Sequence, residues 1–325
     1  MSSSTSDSSK KLPRVMVDLP LVPAVAELLE GHVELVAWPG DGETPPPAID
    51  GIYTQGHPAV DAALLDQLPQ VKVISNYGVG VDHIRLAHAA ARNIPVGNTP
   101  GVLDEATADM AFALLLAAGR RLAEGDRHAR NPQVTRFRSS EMLAREVHHR
   151  VLGIVGLGRI GGQIARRAAG FSMDVLYHNR RRNEQAEQEL GVRYASLDDL
   201  LRQADFVVLV VPLTDQTRGL IGRRELALMK PTATLVNIAR GAVVDTHALT
   251  DALQARRIFA AGLDVTEPEP LPRNHPLLAL DNVVLTPHLG SATVETRQRM
   301  AELSVENLLV GLRGEPLPCE IKYGP

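Results

Sequence analysis

VLGIVGLGRIGGQIARR, residues Val151–Arg167, is the stretch whose reading decides the fold. Five residues of apolar strand character, Val151–Val155, lead into Gly156-Leu157-Gly158-Arg159-Ile160-Gly161, and a helical stretch follows. The spacing G-x-G-x-x-G is weak alone and far more specific between a strand and a helix. Gly156 permits the tight turn, Gly158 lets the backbone approach a pyrophosphate, and Gly161 lets the helix pack close to the strand. The unbonded N–H groups of the first helical turn and the positive end of the helix dipole complete an anion site. The stretch therefore predicts the first crossover of a dinucleotide-binding parallel sheet.

The next strand, Met173–Tyr177, runs into His178-Asn179-Arg180-Arg181-Arg182. A site for NAD places an Asp or Glu about 20 residues past the glycines, where it holds the ribose 2′-hydroxyl. Here arginines occupy that end. A carboxylate would repel a 2′-phosphate, whereas guanidinium groups bind it through paired, charge-assisted hydrogen bonds. Asn179, Arg180 and Arg181 are accordingly the expected ribose-phosphate contacts, Arg182 is expected to face solvent, and the cofactor inferred is NADP(H).

Beyond this stretch, short apolar strands alternate with helices, the pattern of parallel sheets covered on both faces. Downstream strands are expected near 151–155, 173–178, 205–211, 233–238, 260–265 and 283–286. Upstream they are expected at Arg14–Asp18, Val33–Ala37, Ile49–Thr54, Val71–Asn76 and Ile94–Val96, with helices such as Ala59–Gln67 and His83–Arg92 between them. Pro45-Pro46-Pro47 marks a loop. A long helix is expected over Asp104–Arg121, with acids at its start and Arg120 and Arg121 at its end. A polar, irregular stretch covers Asn131–Arg150, and a last helix Ala292–Leu312. The reading is an α/β protein of two doubly wound, Rossmann-like domains with a cleft between them. Residues 105–290 would form the nucleotide domain, inserted into a substrate domain of 11–104 and 291–325, behind a disordered tail of 1–10.

Composition excludes several classes. The net charge is −4 with no basic block, which argues against nucleic acid as a partner. The tail MSSSTSDSSKK has no apolar core and does not read as a secretory signal. The apolar run Met110–Ala118 falls short of the roughly 20 residues that span a bilayer, so a buried helix is expected and no membrane association. Cys319 is the only cysteine, so no internal disulfide can form and a reducing, cytoplasmic compartment is expected. No Cys/His cluster suggests a metal site.

Three further groups sit just past strand ends, where open parallel sheets bind ligands. Ala239-Arg240-Gly241 follows Thr234–Ile238. Asp264 lies near the end of Ala260–Val265, ahead of Glu267 and Glu269. Pro287-His288 follows Val283–Thr286. An arginine, a carboxylate and a histidine could thus converge at one edge, although the residues alone do not separate Glu267 from Glu269.

With these elements assembled, the chain resembles the D-2-hydroxyacid dehydrogenase family. The matching segments are the glycine loop, Asn237-Ile238-Ala239-Arg240-Gly241, GLDVTEPEPLP and Pro287-His288-Leu289-Gly290-Ser291, in family order. LPRNHPLL at 271–278 and GLRGEPLP at 311–318 are most similar to the glyoxylate/hydroxypyruvate reductases of that family. The resemblance implies that Arg240 binds the substrate carboxylate and polarises the ketone. His288 would be the general acid in reduction and the base in oxidation, and Glu269, selected by the match to Glu-Pro-Leu-Pro, would pair with it and favour its charged form. The backbone amides of Val79 and Gly80 would hold the carboxylate. Gly156, Gly158, Arg159, Ile160, Gly161, Ile238 and Gly290 would belong to the cofactor site. Val211 and Pro212 would line the nicotinamide ribose, and Asp264 would face the nicotinamide amide. A homodimer acting on a small 2-keto or 2-hydroxy acid is implied.

Two features depart from the family pattern. The region around Gln133–Phe137 lacks the tryptophan that often lies after the long helix, and the only tryptophan is Trp38. Tyr77 precedes the Gly-Val-Gly turn, where it would enlarge or polarise the pocket and admit a longer acid such as 2-ketogluconate. Rival readings are a nicotinamide-sensing corepressor and an NAD-dependent formate or phosphite dehydrogenase. The arginine loop disfavours both, the absence of a long C-terminal extension also weighs against the first, and the Glu269 match against the second.

Overall fold

The computed structural model describes residues 11–40, 43–136 and 138–322; the expected tail and Phe137 lie outside them. The chain divides into two compact units, one comprising the chain up to Val102 and again from Val294, the other Leu103–Thr293. The first unit contains β1 (Arg14–Val17), α1 (Pro23–Leu29), β2 (Glu34–Ala37), β3 (Gly51–Thr54), α2 (Ala62–Gln67), β4 (Val73–Asn76), α3 (Leu86–Ala91) and β5 (Val96–Gly97). The second begins with α4 (Asp104–Gly119), α5 (Leu122–Ala129), β6 (Val151–Val155), α6 (Arg159–Ala169), β7 (Asp174–His178), α7 (Glu184–Leu190), β8 (Arg193–Tyr194) and α8 (Leu197–Gln203). It continues with β9 (Phe206–Leu209), α9 (Arg223–Leu228), β10 (Thr234–Asn237), α10 (Thr246–Gln254), β11 (Ala260–Leu263) and β12 (Val283–Leu285); α11 (Val294–Leu312) belongs to the first unit.

The first unit is built on a five-stranded parallel sheet ordered β2-β1-β3-β4-β5. Met16, Ile52, Ile74 and Val96 form a layer of its core with no exposed surface. On the other face α11 is tied to the sheet through polar groups: Tyr53 Oη lies 2.8 Å from Ser304 Oγ, and Ser75 Oγ donates to Ser304 O at 2.7 Å. The chain after α11 runs beside β5, where the Ile321 amide donates to Val96 O. That pairing covers an edge that would otherwise present unpaired backbone groups.

The second unit carries a seven-stranded parallel sheet ordered β12-β11-β10-β9-β6-β7-β8. Its central strands FVVL, TLVN and AAGL are buried at every position, as strands covered on both faces must be. The strand order reverses beside β6, which lies between β9 and β7, and that switch point is where open sheets of this kind admit a ligand. The apolar run Met110–Ala118 lies in α4, which packs on α6 and on β10, β11 and β12. A Cβ added at Gly262 of β11 would stand 2.9 Å from Leu114 Cβ, so the helix sits at a distance only glycine allows. No helix among the described residues is long and apolar enough to cross a membrane.

The differences from expectation concern polar segments. The long helix ends at Gly119, not Arg121. Arg121 adopts a left-handed conformation (φ 54°) and turns into α5, its guanidinium bonded to Glu124 at 2.6 and 2.7 Å instead of closing the helix end. Neither α5 nor β8 was foreseen. The helix buries no residue and the strand is two exposed residues long, so neither carries an apolar period. Between α5 and β6 the described residues form turns without helix or strand.

Candidate active site

The glycine loop leaves β6 at its C-terminal end. Gly156 has φ +108°, and its amide donates to His178 O at 2.9 Å. A Cβ there would meet the backbone of Val210 and Val211 Cγ1 at 2.9 Å. At Gly161 a Cβ would lie 2.2 Å from Gly156 O, so helix and turn touch directly. At Gly158, which caps α6, a Cβ would meet nothing within 4 Å, so the loop is open on that side. The first-turn amides of α6 face this opening without helical carbonyl partners, as at any helix start. Arg159 is exposed and Ile160 half-buried beside it.

Asn179 is placed differently from its expected role. Its Oδ1 accepts from the Leu157 amide at 2.7 Å and its Nδ2 donates to Leu157 O at 3.2 Å, so the side chain braces the glycine loop. Arg180 and Arg181 are exposed past the end of β7. Arg180 Nη1 donates to Gln216 Oε1 at 3.2 Å, on the loop after β9, and Arg181 makes no hydrogen bond or ion pair with the described residues. Arg182 is held by Glu187 at 2.7 and 2.8 Å. The hydrogen bonds from Arg182 and from the Tyr177 hydroxyl draw the Glu187 carboxyl down to about 2. Glu187 is therefore paired with the third arginine, and neither Arg180 nor Arg181 forms an ion pair with a carboxylate among the described residues. Val211 and Pro212 follow β9, and Ile238, 8% exposed, follows β10.

Three adjacent strands deliver the candidate catalytic side chains. Beyond β10, Asn237 shapes the turn that carries Arg240: its Oδ1 accepts from the Ala239 amide at 3.0 Å and its Nδ2 donates to Arg240 O at 2.9 Å. Gly241 lies against the segment after β11, where a Cβ would stand 2.0 Å from the Thr266 carbonyl carbon. That segment carries Glu269. Beyond β12, His288 (φ +56°) places Nδ1 2.9 Å from Glu269 Oε1, and Glu269 Oε2 accepts from the Thr266 amide at 3.2 Å. Burial pushes the Glu269 carboxyl up. The hydrogen bond and charge of His288, the Thr266 amide and the nearby charge of Arg240 outweigh it, holding the group below the ordinary carboxylate range. Glu267, left open as an alternative by its sequence position, offers its carbonyl to the Thr246 hydroxyl, while the contact to His288 comes from Glu269.

Asp264, 2% exposed, braces the histidine loop. Its carboxylate accepts from Thr286 Oγ1 at 2.6 Å and from the Leu289 and Gly290 amides at 2.7 Å each, while its backbone carbonyl accepts from the His288 amide at 2.9 Å. Gly290 itself is buried, with a Cβ there facing Asp264 Oδ2 at 3.1 Å. Thr286, Thr266 and Asn237 were given no role in the sequence. A threonine or asparagine at a strand end signals only a turn; Asn237 and Thr266 bond within their own turns, and the partner of Thr286, Asp264, follows another strand. Among the described residues no group of three or more His, Cys, Asp or Glu side chains could hold a metal ion.

In the first unit, Val79 and Gly80 lie on the turn after β4, partly exposed. Tyr77 does not act as expected: it is 4% exposed, and its hydroxyl donates to Arg297 O of α11 at 3.0 Å. It is a packing residue within its own unit and gives no reason to expect a larger substrate. Trp38, just past the end of β2, is partly buried against the core of Met16, Ile52 and Ile74.

A doubly wound sheet with a phosphate-cradling loop at its switch point and a paired histidine and glutamate at the ends of neighbouring strands is the architecture of a dinucleotide-dependent oxidoreductase. Residues 112–290 match the D-isomer specific 2-hydroxyacid dehydrogenase, NAD binding domain. The chain is 45% identical over 321 residues to the glyoxylate reductase of Aeropyrum pernix, with 95% of each chain covered. It is 45% identical over 317 residues to that of Pyrococcus furiosus, with 94% of each covered. Among solved structures it is similar to the TT0316 protein of Thermus thermophilus, with 43% identity, a TM-score of 0.84, and 95% of this chain and 100% of that one covered. It is also similar to an NADPH-dependent glyoxylate/hydroxypyruvate reductase from Sinorhizobium meliloti in complex with NADP and malonate, with 34% identity, a TM-score of 0.84, and 95% and 96% covered. The chain belongs to the D-isomer-specific 2-hydroxyacid dehydrogenase family, and its second unit is the nicotinamide-dinucleotide-binding domain of an oxidoreductase.

Proposed function

We propose that this chain is an NADPH-dependent reductase of a small 2-keto acid of the glyoxylate or hydroxypyruvate type, giving the D-2-hydroxy acid. The observation that carries the reading is the 2.9 Å contact between His288 Nδ1 and Glu269, delivered with Arg240 from the ends of three adjacent strands. The similarity to glyoxylate reductases over 94–95% of the chain supports the substrate class. The two arginines past β7 support NADP(H), and the Sinorhizobium reductase similar to this chain is described as NADPH-dependent.

The residues present fit a dinucleotide. Gly156 and Gly161 are closed by backbone at 2.9 and 2.2 Å, while Gly158 opens onto space, the shape required of a phosphate cradle. The amides of Arg159, Ile160 and Gly161 would hold the pyrophosphate, Arg180 and Arg181 the 2′-phosphate, and Val211, Pro212 and Ile238 the nicotinamide end. When bound, the reduced nicotinamide supplies the hydride that adds to the keto carbon. Asn179 stiffens the loop, and Asp264 fixes Leu289 and Gly290 so that His288 keeps one orientation. With Glu269 accepting from Nδ1–H, it is the doubly protonated imidazolium that carries an Nε2 proton for the substrate oxygen, and giving it up leaves the neutral Nδ1–H tautomer. Glu269 stabilises the protonated ring before transfer. Arg240 binds the substrate carboxylate and polarises the carbonyl, and the amides of Val79 and Gly80 in the first unit are donors suited to a carboxylate.

The test is steady-state kinetics on a panel of 2-keto acids from glyoxylate to 2-ketogluconate, with NADPH and with NADH. The reading expects the largest kcat/KM for glyoxylate or hydroxypyruvate with NADPH. Turnover restricted to a long sugar acid, or none with any member of the panel, would overturn it.

A further inference from the structure

Asn76 is the last residue of β4 and has no exposed surface, yet it is polar. Buried amides persist where their hydrogen bonds are made, and those of Asn76 converge on one turn. Its Nδ2 donates to Gly78 O and to Gly80 O, both at 3.0 Å, and its Oδ1 accepts from Thr54 Oγ1 at 2.9 Å. Chemistry fixes this orientation. The two carbonyls can only accept, so the amino group must face them, and Thr54 must then donate. The single proton of the Thr54 hydroxyl is thereby committed, so His83 Nε2, 3.2 Å from Thr54 Oγ1, is the donor in that contact. The remaining carbonyl of the turn, that of Val79, accepts from Asn98 Nδ2 at 3.0 Å.

The peptide plane converts this pattern into a direction. In a trans peptide the C=O of one residue and the N–H of the next point opposite ways. Holding Gly78 O inward turns the Val79 N–H outward, and holding Val79 O inward turns the Gly80 N–H outward. Neither amide has an acceptor among the described residues. The Val79–Gly80 pair is thus a small anion-binding concavity whose two donors are aimed by two asparagines, Asn76 for the first and Asn98 for the second.

We propose that Asn76 and Asn98 are positioning residues for substrate, setting the two backbone amides that hold the 2-keto acid's carboxylate. Thr54 fixes the orientation of Asn76. The inference rests on the reading of Val79 and Gly80 as the carboxylate-holding amides. Without Asn98 the Val79 carbonyl is released, its peptide plane can rotate, and the Gly80 donor is lost from the nest; without Asn76 the Gly78 carbonyl keeps only the Thr99 amide at 3.1 Å, so the Val79 donor is aimed less firmly.

The experiment compares Asn98→Ala, Asn76→Ala and Val79→Pro with the wild-type protein, measuring KM for glyoxylate, for methyl glyoxylate and for NADPH. Asn98 is partly exposed, so its variant remains informative if removal of the fully buried Asn76 lowers folding yield. Loss of one charge-assisted amide contact is expected to raise the glyoxylate KM about tenfold in Asn98→Ala and by a smaller factor in Asn76→Ala, where the Thr99 amide still holds Gly78 O, with a smaller change in kcat. The KM values for NADPH and for the ester, which lacks the carboxylate charge, should stay near wild type. Val79→Pro deletes an amide proton outright. If it leaves the glyoxylate KM unchanged, the carboxylate reading itself fails. If it raises that KM while both asparagine variants do not, only the positioning inference fails. An equal rise for acid and ester in the asparagine variants would also overturn it, because a merely structural role would act on both.

Discussion

Replacing Arg180 by aspartate should remove most of the preference for NADPH. Arg180 is exposed and bonded to the neutral Gln216, so its charge is available to a phosphate, and Arg181 beside it has no partner among the described residues. Arg182 is committed to Glu187 and contributes little. A charge-assisted hydrogen bond is worth roughly 1.5–3 kcal/mol when well formed, whereas exposed ion pairs give about 1 kcal/mol or less. An intermediate value of about 1.4 kcal/mol per arginine corresponds to about tenfold each. Arg180→Ala should then raise the NADPH KM about tenfold, and Arg180→Asp roughly a hundredfold, since repulsion replaces attraction. Arg181→Ala should act in the same direction. Because the 2′-phosphate is remote from the hydride, kcat should change little, and NADH kinetics should be nearly unaffected. The assay is KM and kcat for both cofactors at saturating keto acid and low ionic strength, repeated at high salt, where the preference should shrink. Equal use of both cofactors by the wild-type protein, or equal losses for both in Arg180→Asp, would refute the reasoning.

Gly161→Ala should weaken NADPH binding severely while leaving secondary structure intact, because the new Cβ would lie 2.2 Å from Gly156 O and must push α6 off the loop; fluorescence titration with NADPH checks this. Asp264→Asn puts an amino group among three donors, so at least one buried contact is lost. It should cost about 1–3 kcal/mol of stability in chemical denaturation, with kcat falling as the His288 loop loosens. Glu269 titrates below its ordinary value in the folded chain, so its stabilising contribution is complete above the unfolded carboxylate pKa and fades as pH falls through the lowered one. The difference in melting temperature between wild type and Glu269→Gln should therefore be largest near neutral pH and narrow in acid; a difference that grows on acidification would contradict this.

What could be read in the sequence was what is local. The strand, the three glycines and the helix of Val151–Arg167 act within one another's reach, and their spacing alone specifies the turn. Arg240, Glu269 and His288 were visible as strand-end residues because a parallel sheet aligns all its C-terminal ends on one edge. The residues that steady them were not. Asn179 sits where a ribose contact would sit, and only the 2.7 Å bond to the Leu157 amide shows that it serves the loop. Tyr77 lies beside the Val79–Gly80 turn in sequence, yet its partner is a carbonyl at position 297, brought near by α11. Asp264 meets its three donors more than twenty residues downstream, a distance that no local pattern encodes. The segments α5 and β8 escaped notice for a simpler reason, having almost nothing apolar to bury.

The central claim is that His288, held by Glu269, delivers the proton as hydride reaches the keto carbon. The direct measurement is single-turnover oxidation of bound NADPH by glyoxylate in wild type and His288→Ala, with NADPH affinity determined on the same preparations. General acid catalysis is typically worth about 10²–10⁴-fold, so the variant should bind NADPH normally and slow the chemical step by that factor. A chemical step within a few-fold of wild type, with NADPH still bound, would contradict the account.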